Sequence, residues 1–186
     1  MPVNRIKQAV CFALLGAGLL WQVAGEHLQA ALAPDQHGCR HSSDLPAPET
    51  RAEARVAVLC LLNQQRAKHS LPPLTEDPRL ESAAQAHADD MGRRDFYAHR
   101  NPDGLGPHQR IRAAGYDGPA TGENIHWGVR LNATPANIVS DWMKSPGHRA
   151  NILRRRFTRV GTGVAYDPPK AFYRERAGVY VNNFGG

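Results

Sequence analysis

Two stretches decide the interpretation of this sequence: GENIHWG, residues 122–128, and WMKSPGHRANIL, residues 142–153. In the second, a Ser-Pro-Gly triplet interrupts a predicted helix just after its tryptophan, and one or two further helical turns follow. The first stretch carries Glu123 and the second His148, and both side chains are of types that serve binding or catalytic sites. Each is predicted to lie beside a turn or a helix start, where side chains converge on clefts.

Around these stretches, the hydrophobic periodicity predicts several helices followed by strands. Asp77 followed by proline is typical of a helix cap and first turn, and Thr134 followed by proline is another such start. After residue 156 the period changes to two, which indicates strands. Helices are predicted from residue 50 to before 71, from 77 to about 93, over 107–114 and from 134 to before 145, with strands near 157–166 and 179–181. This succession of helices and a small, mostly antiparallel sheet is an α+β arrangement.

The composition excludes several classes of protein. A chain of 186 residues with 41% hydrophobic side chains builds about one ordinary domain and is not disordered. The net charge is +6, but the basic residues read as scattered among acidic ones, without the stripe and motif of a nucleic-acid binder. We therefore expect no nucleic-acid partner. Three cysteines without a CxxC spacing exclude a zinc ribbon and a disulfide scaffold.

The N-terminus has the pattern of a secretory signal peptide. Two basic residues precede an uninterrupted apolar run over residues 9–21, which is short for a membrane span. We predict a signal peptide over 1–33, a proline-rich arm over 34–51 and one folded domain over 52–186. The protein is then secreted or periplasmic, with no transmembrane domain after processing. A retained membrane anchor is the alternative.

Export changes the expected state of the cysteines. If Cys11 leaves with the signal peptide, Cys39 and Cys60 remain as an even pair in an oxidising compartment. They form either a disulfide, which the compartment favours, or two separate thiols with Cys60 packed as a small core residue.

Histidine is the most informative residue type for a site. His99, Glu123 and His148 are separated by 24 and 25 positions, so no local ligand motif joins them. Two imidazoles and a carboxylate would suit a divalent metal ion with an open coordination position. On spacing alone, three unrelated surface residues are the better explanation.

Other histidine arrangements carry less weight. Ser145, His148 and Glu123 would make a Ser-His-Glu set, but no nucleophile elbow accompanies the serine, and coincidence is favoured. His126 either lines a cleft or covers the core. His87 lies on the apolar face of its helix and is expected to be a hydrogen-bonded core residue.

Together these segments resemble the CAP superfamily of cysteine-rich secretory proteins, antigen 5 and pathogenesis-related proteins, whose domain is also called SCP. Any one segment is short, but the ordered set is specific. It covers about residues 52–186 and closely resembles the compact bacterial branch. The segments that match in family order are residues 62–66 with 71–74, then 83–91, 96–99, 102–104, 122–128, 142–153, 160–164 and 184–185.

The resemblance implies an α-β-α sandwich with a central cleft lined by His99, Glu123 and His148. Eukaryotic members carry a second glutamate where this chain has Ser145, so the resemblance implies a divalent metal such as zinc that is only weakly bound. It also favours pairing of Cys39 with Cys60, and it adds His126 and Ser145 to the lining of the cleft.

Three functions follow from the resemblance. The first is a secreted binding module, without obligatory catalysis, whose cleft takes a small-molecule or lipid ligand or a divalent metal. The second is a metal- or histidine-dependent extracellular hydrolase acting on peptides or cell-wall material, with His99, Glu123 and His148 as the candidate catalytic residues. The third is an interaction protein with a partner in the cell envelope and a cleft that has lost its use.

Overall fold

The computed structural model describes residues 38–45, 47–166, 169 and 177–186. All of them belong to the unit Asp35–Gly186, one of two into which the chain divides. The other unit, Met1–Pro34, contains the predicted signal peptide and lies outside the described residues. Within the described part, no helix has both the length and the apolar character that crossing a membrane requires.

Five α-helices are found in the described part of the chain, each close to its predicted position. Asp77 caps the second helix as expected, because its Oδ1 accepts from the backbone N–H groups of Arg79 and Leu80. Thr134 differs from the prediction, since its hydroxyl donates to the carbonyl of Leu131 instead of capping the helix that follows. The helices are α1 (Arg51–Lys68), α2 (Pro78–Arg93), α3 (Pro107–Ala113), α4 (Pro135–Lys144) and α5 (Pro146–Ile152).

Four described strands form one mixed sheet in the order β1-β3-β4-β2. Only β1 and β3 are parallel, so the expected mostly antiparallel sheet is confirmed. The sequence predicts the two C-terminal strands but not β2, because it places Glu123 beside a turn or a helix start, whereas Glu123 lies within this strand. The strands are β1 (Thr75–Glu76), β2 (Thr121–Val129), β3 (Arg159–Ala165) and β4 (Ala177–Gly185).

Helices cover both faces of the sheet, which confirms the α-β-α sandwich. One cluster joins α1, α4 and α5 to the sheet and contains the fully buried Trp142 and Tyr180. A second cluster joins α2 to the opposite face, and α3 packs on α2 through Ile111. The backbone of α2 comes so close to β3 that a Cβ atom added to Gly163 would collide with Ala84.

The disulfide between Cys39 and Cys60 is present, with Cα atoms 5.8 Å apart, which confirms the predicted pairing. It ties the segment before α1 to the middle of that helix. Because 21 positions separate the cysteines, closing this loop in the unfolded chain stabilises the fold by about 3 kcal/mol in the chain-entropy model.

A buried arginine fixes the segment that follows α5. Arg66, near the end of α1, is 0% exposed and donates to four carbonyl oxygens at 2.7–3.2 Å. These bonds satisfy both the guanidinium of Arg66 and the carbonyl groups that accept from it, because buried polar groups need hydrogen-bond partners. The acceptors are the carbonyls of Pro72, Ile152, Arg154 and Phe157.

Candidate functional site

Glu123 lies at the centre of the candidate site, on the edge strand β2. Its side chain is 1% exposed, and it lies on the same side of the strand as Ile125, which packs in the α2 cluster. Oε1 lies 2.8 Å from Nδ1 of His99, and Oε2 lies 2.7 Å from Nη2 of Arg110. A carboxylate buried to this degree requires such donors, because an unpaired charge in the interior costs several kcal/mol.

Arg110, on α3, holds both Glu123 and the loop that carries His99. Its side chain is 10% exposed, and its Nη1 donates to the carbonyl oxygens of His99 at 2.7 Å and Leu105 at 2.8 Å. In the amide orientation that satisfies both of its neighbours, Asn183 also donates to Glu123 Oε2 at 3.2 Å. Three donors therefore occupy the carboxylate of Glu123.

His99 is the exposed member of this group. Half of its side chain is accessible, and its Nδ1 must carry the proton because the Glu123 oxygen opposite can only accept. In the neutral ring, Nε2 is then an acceptor, and it has no hydrogen-bond partner among the described residues. The carboxylate thus fixes the tautomer and orientation of His99 and leaves one ring nitrogen for a ligand.

His148 reaches the site from α5, on the other side of β2. A chain of amides attaches α5 to the strand: Asn151 donates to the carbonyl of Glu123 and to the side chain of Asn124, which donates to the carbonyl of His148. Burial lowers the pKa of His148 below its ordinary value, and the nearby His99 lowers it further. His148 is therefore a neutral imidazole at pH 7, with the capacity both to donate and to accept.

His126 and Ser145 border the site on the α4 and α5 side. The Nε2 atom of His126 lies 3.2 Å from an oxygen of Asp141, which also accepts from Lys144 at 2.8 Å. The hydrogen bond from Lys144 lowers the pKa of Asp141, with a smaller contribution from His126. Ser145 precedes the first residue of α5 without a side-chain cap bond, and among the described residues no hydrogen bond joins it to His148.

The positions of the side chains in the site limit how a metal ion could be bound. Among the described residues, no group of three or more His, Cys, Asp or Glu side chains is placed to hold one. A three-ligand ion on His99, Glu123 and His148 would require Arg110 to leave the carboxylate that it neutralises. Metal binding through the full triad therefore stays a prediction.

Arg110 is the site residue that sequence reasoning missed. Its neighbour Arg112, two positions later in the same helix, is an exposed arginine with the same local context. Only the distant partner Glu123, thirteen positions later and on another element, distinguishes the two. A single sequence contains no local signal for such a pair, whereas the glutamate was found through its motif.

A cavity of about 490 Å³ lies against α2 and α3; Arg110 is among its lining residues, whereas His99 and His148 are not. Among its lining residues is His87, which is 1% exposed and donates from Nε2 to the carbonyl of Ala98 at 3.0 Å. Burial lowers the pKa of His87, as expected of the neutral core histidine that its helix position predicts. The acidic residues of this cavity, Asp90 and Asp103, are paired with arginines.

Comparison with known proteins agrees with this fold. The family described as CAP, the cysteine-rich secretory protein family, matches residues 59–184, and the chain belongs to this family. It is 32% identical over 140 residues to the uncharacterised protein YkwD of Bacillus subtilis. The aligned residues make up 75% of this chain and 50% of that protein. The chain therefore spans about half the length of this curated relative.

Two solved structures share the fold. An extracellular protein with an SCP domain from Bacillus anthracis is 25% identical, with a TM-score of 0.63, over 76% of this chain and 44% of that one. An outer surface protein of Borrelia burgdorferi is 23% identical, with a TM-score of 0.58, over 69% of this chain and 88% of that one. The second likeness concerns the fold alone.

Proposed function

We propose that this CAP-domain protein acts outside the cytoplasm as a binding module, and that its cleft takes a small polar ligand between His99 and His148. The extracellular setting is supported by the Cys39–Cys60 disulfide, which oxidising compartments preserve. It is also supported by the similarity to the Bacillus anthracis protein, which is described as extracellular.

One observation carries the proposed role of the cleft: Glu123 is saturated by His99 and Arg110, while Nε2 of His99 has no partner among the described residues. The charges that border the cleft are also compensated, since Arg110 neutralises Glu123 and Lys144 neutralises Asp141. A ligand therefore meets the imidazole rings of His99 and His148, which bind hydroxyl and amide groups by hydrogen bonds. This chemistry favours a polar ligand over a lipid.

A divalent metal ion such as zinc is a second candidate ligand. Neutral imidazole is a suitable zinc ligand, and His99 and His148 would supply it. Two protein ligands give weaker and more exchangeable binding than a closed site of four. Calorimetric titration with zinc should show weak binding by the parent and none by the His99→Ala plus His148→Ala variant; equal binding by the two proteins excludes the cleft as the metal site.

Hydrolysis is the alternative function that a specific contact favours. A histidine whose Nδ1–H is held by a buried carboxylate is the arrangement of a general base, and His99 and Glu123 have it at 2.8 Å. For this function His99 removes a proton from water or a substrate and, as the imidazolium, donates it to the leaving group, while His148 forms a hydrogen bond to the substrate. The substrate would be an extracellular peptide or cell-wall polymer.

Purified peptidoglycan separates binding from hydrolysis. We expect the parent protein to sediment with the insoluble polymer without releasing new fragments from it. Added soluble fragments of the polymer should compete with this binding. Release of soluble fragments that is lost in His148→Ala but kept in Arg112→Ala, an exposed position on α3, would establish the hydrolase instead. Unaltered cellular function after substitution of His99, Glu123 and His148 together would favour the envelope interaction protein over both.

A further inference from the structure

The segment from Trp142 to Tyr166 contains six lysine and arginine residues and no aspartate or glutamate. This corrects the expectation that the basic residues are scattered and interleaved with acidic ones. Three of the six are the consecutive Arg154, Arg155 and Arg156, all exposed, in the connection between α5 and β3. The local charge is therefore much higher than the overall composition indicates.

The fold brings this segment next to the C-terminal end of α1, which also carries basic residues. Arg66 binds the carbonyls of Ile152, Arg154 and Phe157, which places the connection beside the end of α1, where Lys68 is exposed. A second contact joins the same regions, since Arg149 on α5 lies 3.2 Å from Nε2 of His69. We define the basic patch as the five exposed residues Lys68, Arg149, Arg154, Arg155 and Arg156.

The charge of the basic patch is not compensated. Within the described ranges, no carboxylate forms an ion pair with any of its five members, whereas Arg55, Arg79 and Arg94 elsewhere all have acidic partners. The fully buried Arg66 adds to the positive potential of the basic patch, because its hydrogen bonds go to neutral carbonyls. Several unpaired guanidinium groups on one surface attract anions strongly.

We propose that the basic patch is a second binding surface, distinct from the cleft, for a linear polymer that carries closely spaced phosphate groups. Arginine forks bind phosphate oxygens in bidentate fashion, and each phosphate offers more acceptors than one guanidinium uses. A groove of about 360 Å³ lies beside the patch between α4 and α5, lined by Lys144 and Arg149 together with apolar side chains. It offers a polymer chain a recessed path next to the exposed arginines.

The side chains around the patch argue against the other polyanions. A membrane surface needs apolar anchors beside the basic residues, and the exposed large hydrophobic residues of the described chain are Val56, Leu105 and Leu131, none of them in the patch. A single-stranded nucleic acid is held by aromatic side chains on which its bases stack, and the aromatic ring nearest in sequence, Phe157, is fully buried beneath Arg154. A base-free phosphate chain needs neither.

Binding of inorganic polyphosphate, labelled at its end and followed by fluorescence anisotropy, tests the proposal. The variant Arg154→Gln, Arg155→Gln, Arg156→Gln should bind at least about tenfold more weakly than the parent, and the slope of log affinity against log salt concentration should fall by about two to three. A matched control removes three charges from exposed arginines outside the patch: Arg40→Gln, Arg112→Gln, Arg130→Gln. It should keep most of the affinity.

Several outcomes would overturn the proposal. Equal losses in the patch variant and the matched control would mean that net charge alone attracts the polymer. Equal affinity for polyglutamate of the same charge would remove the phosphate specificity, and binding to phosphatidylglycerol vesicles but not to polyphosphate would make the surface a membrane contact. If the triple variant does not fold, as judged by its thermal transition, Lys68→Gln with Arg149→Gln tests the same surface.

Discussion

Replacing Arg110 with glutamine should destabilise the protein strongly, although the residue lies on a short helix near the surface. The substitution removes the cation that lies 2.7 Å from Glu123 and leaves a carboxylate whose side chain is 1% exposed. It also removes the donors to the carbonyls of His99 and Leu105. The loss therefore combines an unpaired buried charge with two broken loop contacts.

The expected magnitude follows from these contacts. Removing one partner of a buried ion pair costs about 3–5 kcal/mol, which is a large part of the roughly 5–15 kcal/mol of a whole domain. The midpoint of thermal unfolding should fall by roughly 10 °C for a domain of this size. Adding Glu123→Gln to the Arg110→Gln variant should restore part of the lost stability, because the side chain that remains buried is then neutral.

Urea unfolding of the parent, Arg110→Gln, Glu123→Gln and the double variant measures this coupling in a double-mutant cycle. We expect an interaction energy of at least about 2 kcal/mol. Arg112→Gln, an exposed position in the same helix, is the control and should change the free energy of unfolding by less than about 0.5 kcal/mol. Additive effects at Arg110 and Glu123 would refute the paired arrangement on which the description of the site rests.

Three further predictions concern stability. Replacing Cys39 and Cys60 by serine should lower the free energy of unfolding by about 3 kcal/mol, and a reductant should then have no further effect on urea unfolding. Arg66→Met should cost at least about 3 kcal/mol, because four carbonyls lose a charged donor; an unchanged unfolding midpoint would contradict this. For His148, whose folded pKa lies below the ordinary 6.5, the unfolded chain binds the proton more readily, so stability falls as the pH drops below about 6.5. His148→Gln should make that decline shallower, and an identical pH profile would show that His148 does not contribute.

Elements with local signals were predictable from the sequence. The start of α2 follows from Asp77 and the proline after it, because the cap uses backbone groups two and three residues away. The two C-terminal strands were visible through their apolar alternation, and the disulfide through the number of cysteines that export leaves. In each case the partners lie nearby in the chain or belong to a small set of alternatives.

Features that depend on distant partners were not predictable in the same way. The strand β2 carries Glu123, Asn124 and His126 in its middle, so its pattern lacks the alternation of a half-buried strand. It becomes a strand because β4 pairs with it along its whole length, from 48 to 64 positions away in the sequence. Arg110 was missed for the same reason, and the basic patch because α1 and the α5–β3 connection meet only in the folded chain.

Native mass spectrometry of the exported protein, with elemental analysis, tests the central claim that the cleft between His99 and His148 is a ligand site. The parent should carry a bound small molecule or substoichiometric metal, and the His99→Ala plus His148→Ala variant should carry neither while keeping its fold. A parent without any bound mass after gentle isolation, or a ligand that stays bound to the double variant, would contradict the claim.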